Sequence, residues 1–296
     1  MTFDKDDALR KFFEMGYKIP DDYFIELENI LVPLALQPFE RFGVAVAKFI
    51  AHEFGATVTI LHNGRRDPEK FIKEFEELKI PVKVKISKKL DTIKVILEEA
   101  QKEDYQLMIM PSRRRLKWID RFLLNSVSAK VIPKVTYDVL QAYPQKGRLP
   151  GDEEEIPRFE KIGILLPRTQ RDPKLLFWAN SLLIGKEGEL HAYHIADLPN
   201  LTPLRGALEA DVIVKEKEEF EVLVQGYEKI FSTKIVPHFI VSHNVGKAAA
   251  AVLNRDKPDL AIMGHSKREG RFGLKRTLTD YVLDTARIPM VIHHQH

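Results

Sequence analysis

One β-α pattern runs through this chain twice, and that repetition confines the fold more than any single motif does. The apolar segment NILVP at 29–33 is followed by a helical stretch over 38–54, and KIGILLP at 161–167 by one over 173–183. Each leads to a strand bearing histidine, TVTILHN ending near His62 and ELHAYHI around His194. With Pro33 and Pro167 taken as equivalent, the histidines follow after 29 and 27 positions, so the pitch is nearly kept. PVKVKIS (81–87) and KIVPHFIVS (234–242) read as third strands, with helices after them at 90–103 and 244–256. YQLMIMP (105–111) and PDLAIMG (258–264) read as fourth strands. Helices at about 118–135 and 274–287 then lead to DVLQAY (138–143) and IPMVIHH (288–294).

Each copy therefore reads β-α-β-α-β-α-β-α-β. Continuous apolar strands alternating with amphipathic helices require a parallel sheet covered on both faces. Right-handed crossovers make it doubly wound, with ligands expected beyond the carboxyl ends of the strands at the switch point. The predicted fold class is α/β, two tandem doubly wound parallel five-stranded sheets. The predicted organisation is a helical extension over 1–24, a first domain over 25–144, a linker over 145–157 and a second domain over 158–296. The linker QKGRLPGDEEEIP is marked by Gly, Pro and four acids. Residues 1–24 read as a short amphipathic helix and a turn at Ile19-Pro20-Asp21. Extra residues from Asp197 to about Val214 read as a surface loop, with a pocket cover as the alternative.

Composition removes several function classes. At 296 residues and 44% hydrophobic, the chain can build two cores. It has no cysteine, which excludes disulfides, thiol catalysis and thiolate metal sites. A net charge of +3 does not by itself imply nucleic acid, which is not the expected partner. No apolar run reaches the roughly 18 residues of a transmembrane helix. The opening MTFDKDDALRKFF lacks the basic-then-apolar order of a secretory signal, so a cytoplasmic location is expected.

Three segments carry a family likeness. NSVSAKVIPKVTYDVL (125–140), PDLAIMG (258–264) and TLTDYVLDTARIPMVI (277–292) resemble the universal stress protein family in its tandem-domain form. The likeness covers roughly 27–143 and 160–293. It implies an adenine nucleotide alpha hydrolase-like fold and, in nucleotide-binding members, a glycine loop after strand four that binds ATP. Glycines let backbone amides approach phosphates, and a hydroxyl at a helix start adds a donor. Carried onto this chain, the loop is GHSKREGRFGLKRT, 264–277. It implies binding residues Gly264, His265, Ser266, Lys267, Arg268, Gly270, Gly273 and Thr277, with Arg168 facing an anion. Arg276 stands where the family has glycine. The first copy offers a weaker set, Ser112, Arg113, Asn125 and Ser126, with Pro111 in the glycine position. The acidic residue that family members carry past strand one has no counterpart at Pro33-Leu34-Ala35 or Pro167-Arg168-Thr169. The likeness also implies that Asp138–Tyr143 and Pro289–His293 pair with each other as an intramolecular pseudo-dimer, with a homodimer as a further form.

Other signals have two readings each. His62 and His194 sit at equivalent strand ends and either pack or touch a ligand. The run Arg113-Arg114-Arg115-Leu116-Lys117-Trp118 is either a solvated loop and helix start or a grip for phosphates, RNA or an acidic membrane. His293 and His294 alternate in direction, so a frayed tail is expected rather than a metal site. Glu76-Glu77, Glu98-Glu99 and Glu218-Glu219 read as solvated helix faces. No Ser-His-Asp order, HExxH or GxxxxGK[ST] motif is present, and no catalytic or metal-binding residue is assigned. The expected function is a non-enzymatic stress-response regulator with ATP, accompanied by Mg²⁺, in the second domain. The alternatives are a tandem domain that has lost nucleotide and acts through protein partners, and a slow ATP hydrolase.

Overall fold

The computed structural model describes residues 5–17, 26–102, 104–113, 126–146, 159–169, 172–183, 188–199, 210–265 and 277–295. The chain divides into two compact units. One comprises Ile25–Pro157 with Gly264–His296, and is called here the first-copy unit; the other comprises Met1–Phe24 with Arg158–Met263, the second-copy unit.

In the first-copy unit the strands are β1 (Asn29–Leu34), β2 (Thr57–Asn63), β3 (Val82–Ser87), β4 (Leu107–Pro111), β5 (Asp138–Tyr143) and β10 (Met290–His294). They lie in the order β3-β2-β1-β4-β5-β10. The first five are parallel, and β10 runs antiparallel to β5, with Met290 opposite Tyr143 and His294 opposite Val139. The helices are α2 (Arg41–Phe54), α3 (Glu69–Glu76), α4 (Thr92–Ala100), α5 (Val127–Val131) and α9 (Leu278–Thr285). Strand interiors such as Ile30, Leu31, Val32, Leu107 and Met108 are wholly buried, as required of strands covered on both faces. The switch point falls between β1 and β4. There α2 approaches so closely that a Cβ on Gly43 would lie 2.6 Å from Pro111 Cγ. Gly55, at φ +65°, ends α2 in the left-handed region.

The second-copy unit repeats the scheme with β6 (Lys161–Leu165), β7 (Glu189–Asp197), β8 (Ile235–Ser242) and β9 (Leu260–Gly264), in the order β9-β6-β7-β8 and all parallel. Its helices are α6 (Asp172–Leu182), α7 (Asp211–Phe231) and α8 (Val245–Asp256), together with α1 (Lys5–Glu14). Asn244 caps α8 by accepting from Lys247 N at 2.9 Å.

The wound α/β architecture is the predicted one. β10, the last strand of the second copy, runs antiparallel to β5 and covers its edge, the pairing that the family likeness implies. The N-terminal helix packs in the second-copy unit, although sequence order places it ahead of the first copy. Phe12, wholly buried, seats its ring on Gly226 of α7 and lies 5.2 Å from the Tyr227 ring. The expected frayed tail at His293 and His294 is also corrected. Both are buried in β10, His293 Nε2 lying 3.5 Å from Asp138. The linker from 147 and the basic residues 114–118 lie outside the described residues.

Candidate functional site

Two equivalent strand ends carry the same buried device. In the first copy, Leu34 is paired with His62, and the His62 Nδ1–H donates to Leu34 O at 2.9 Å. The chain then turns through Leu36, whose φ of +57° is in the left-handed region. The Glu40 carboxylate closes this turn, accepting from Ala35 N at 2.9 Å and Gln37 N at 2.8 Å. Burial pushes the Glu40 carboxyl above its ordinary range, and the backbone donors only partly offset this. His62 Nε2 is buried without a hydrogen-bond partner. It lies under Gly64, where a Cβ would come within 2.7 Å.

In the second copy, His194 Nδ1–H donates to Leu166 O at 2.9 Å, across the same 28 positions that separate Leu34 from His62. Arg168, at φ +60°, takes the place of Leu36. Asp172 takes that of Glu40, accepting from Thr169 N and Thr169 Oγ1, both at 3.1 Å. Burial raises the Asp172 carboxyl to about 6. Matching the prolines is thus two residues out of register; the shared bond from histidine to strand-end carbonyl equates Leu34 with Leu166. An acid lies six residues beyond each of these leucines, Glu40 and Asp172. They face their own turn amides. Glu40 and Asp172 were missed because a carboxylate near a helix start ordinarily reads as a cap.

Here the copies diverge. His194 Nε2 bonds Glu216 Oε1 of α7 at 2.9 Å. Each ring nitrogen of His194 thus faces an acceptor, and both bonds form together only when the ring carries both hydrogens or the carboxylate carries one. Arg168, expected to face an anion, donates to Glu219, lies 3.8 Å from Glu216 and reaches Tyr17 Oη at 3.5 Å. The Glu218-Glu219 pair is therefore not wholly a solvated face.

The glycine-loop residues that are described lie in the first-copy unit. The His265 amide donates to His293 O at 2.9 Å, and Thr279 Oγ1 donates to Gly264 O at 3.3 Å. Thr277 is the N-cap of α9: its Oγ1 accepts from Asp280 N at 3.0 Å, and its amide donates to Asp280 at 3.2 Å. Ser266, Lys267, Arg268, Gly270 and Gly273 lie outside the described residues, as does Asn125. Ser126 caps α5 by accepting from Ala129 N at 3.3 Å. Arg113 is exposed. Ser112 is buried and accepts from Gln141 Nε2 at 2.8 Å. Gln141 Oε1 in turn accepts from His294 Nε2 at 3.2 Å, and His294 stacks on His265 with ring centres 4.5 Å apart. The two loop starts, Ser112 and His265, are thereby joined through Gln141 and His294. The pairing of β10 with β5 was expected from the family likeness, but the side-chain contacts that it brings together are not legible in local pattern.

Comparison with known proteins follows from this geometry. Residues 64–141 match the family model described as the universal stress protein family. A universal stress protein from Archaeoglobus fulgidus is similar in structure at 17% identity and a TM-score of 0.55, over 90% of this chain and 96% of that one. A functionally unknown protein from Pseudomonas aeruginosa has a TM-score of 0.62 at 15% identity, over 91% and 93%. The cytoplasmic domain of a prokaryotic cation chloride cotransporter has a TM-score of 0.54 at 12% identity, over 90% and 95%. Identities this low establish the fold. No curated protein matches the chain. Among the described residues no helix is long and apolar enough to cross a membrane.

Proposed function

Because this chain belongs to the universal stress protein family through the domain matched at 64–141, and repeats that domain's strand order in its second half, we propose that it is a non-catalytic cytoplasmic regulator that acts through protein partners. One observation carries the reading. Arg168 and His194, the second copy's polar groups at the ends of β6 and β7, are already paired with Glu216 and Glu219. Two carboxylates there cancel the guanidinium and repel an incoming phosphate. A like-charge pair at 4 Å costs about 4 kcal/mol at an effective dielectric of 20. The hydroxyls of Thr277 and Ser126 already serve as helix caps.

A second reading keeps ATP with Mg²⁺ on the glycine loop, held by Gly264, His265, Ser266, Lys267, Arg268, Gly270, Gly273 and Thr277. The bond from Thr279 to Gly264 favours it, since it draws the two ends of that loop together. Calorimetric titration with ATP, ADP and AMP, with and without Mg²⁺, separates the two readings. The first expects no saturable heat up to millimolar nucleotide. Saturable ATP binding that weakens tenfold or more in Gly270→Val would replace it with the second.

A further inference from the structure

The two copies treat their edge strands differently. Strand pairing sets Ile86 of β3 opposite His62, and Phe239 of β8 opposite His194, so Ile86 and Phe239 are equivalent positions. In the second copy, α7 begins 24 residues before Ile235; in the first, α3 begins 13 residues before Val82, the position equivalent to Ile235. The eleven additional residues make three turns and extend the helix by about 16 Å.

What those turns do is visible in the second copy. Ile213 packs in one apolar cluster with Phe239 and Val241. The Phe220 ring lies 6.4 Å from that of Phe239 and 5.2 Å from that of His194, while Glu216 between them bonds His194. Among the described residues the first copy has no such cover. Ile86 is 55% exposed, Val84 lies on the same face at 37%, and Leu90 is fully exposed.

We infer that this face of β3 is a docking surface for an acidic amphipathic helix of a partner protein, laid where the first three turns of α7 lie in the second copy. The helix it fits has apolar side chains at i and i+7, with carboxylates between them. Charge selects this occupant. The stretch VKVKISKKL, 82–90, holds four lysines and no acid. Lys85 and Lys89 are paired with Glu99 and Glu98. Lys88 is exposed, and a bond from Gly64 N to Ser87 O at 2.9 Å brings the exposed Arg65 to the strand end. A second copy of this chain pairing edge to edge through β3 would set lysine against lysine, the arrangement by which edge strands resist self-association. An acidic helix lying on the apolar face meets the exposed Lys88 and Arg65 at the strand end instead.

The inference rests on the partner-acting reading and is tested separately from it. The probe is a side-chain-stapled helical peptide of the sequence 211–224, labelled for fluorescence anisotropy, with the full-length chain titrated against it. We expect saturable binding that weakens at least tenfold in Ile86→Lys, and equally when the peptide carries Ile213→Ala and Phe220→Ala. Backbone amide shifts should map to residues 82–90. Position 86 is exposed, so Ile86→Lys is expected to retain the wild-type melting temperature, which is checked alongside. The docking surface is refuted by any one of three results: no saturable binding at millimolar protein, equal affinity for Ile86→Lys, or shifts confined to β7 and β8. Nucleotide binding in the calorimetric titration would overturn the partner-acting reading without touching the peptide result, and failure of the peptide leaves the titration unchanged.

Discussion

Asp172 gives the sharpest quantitative expectation. Its side chain is 1% exposed, and burial raises its carboxyl from 3.8 to about 6. Oδ1 accepts two hydrogen bonds from Thr169, while Oδ2 is buried without a partner. The protonated form is therefore favoured by folding. For an acid whose folded value lies above its unfolded one, the stabilisation is complete below the unfolded value and is lost as pH rises through the folded one. Each pH unit between the two values is worth about 1.4 kcal/mol, so the ionised carboxylate costs the fold about 3 kcal/mol well above pH 6. Between pH 5 and 7.5 the loss is on the order of 1 kcal/mol. Asp172→Asn keeps an oxygen for the two Thr169 donors and does not titrate. Urea unfolding of both proteins at pH 5 and pH 7.5 should show the variant gaining on the order of 1 kcal/mol on the wild type as pH rises. A difference between the two proteins that stays constant across this range refutes the argument.

Gly226→Val should undock α1, because a side chain there meets the Phe12 ring at 2.3 Å; hydrogen exchange of residues 5–17 should rise to that of an unpacked segment while β6 and β7 stay protected. Phe12→Ala removes a wholly buried ring and should cost roughly 3–5 kcal/mol in the second-copy unit, read by urea unfolding. His293→Ala removes a buried ring and should destabilise the first-copy unit by roughly 1–3 kcal/mol, read by thermal unfolding. Gly43→Ala forces α2 away from Pro111 and should cost about 1–3 kcal/mol in the same measurement, whereas the exposed Ile86→Lys should stay within about 0.5 kcal/mol of wild type.

Local pattern alone determined the element types, the doubling and the wound parallel sheet. A buried strand must be continuously apolar and a covering helix must be amphipathic, and both periods are written in neighbouring residues. The pairing of 138–143 with the last strand was expected from family likeness, and β5 and β10 do pair. What neighbours cannot encode is which partner a surface meets. That β10 belongs with the first-copy unit and α1 with the second, and that α7 sends Glu216 and Glu219 to His194 and Arg168, were decided by contacts between residues far apart in the chain. Arg168 illustrates the reason. Its charge is legible in one letter, but whether that charge is available to a ligand depends on carboxylates about fifty positions away, placed by three extra turns of a helix.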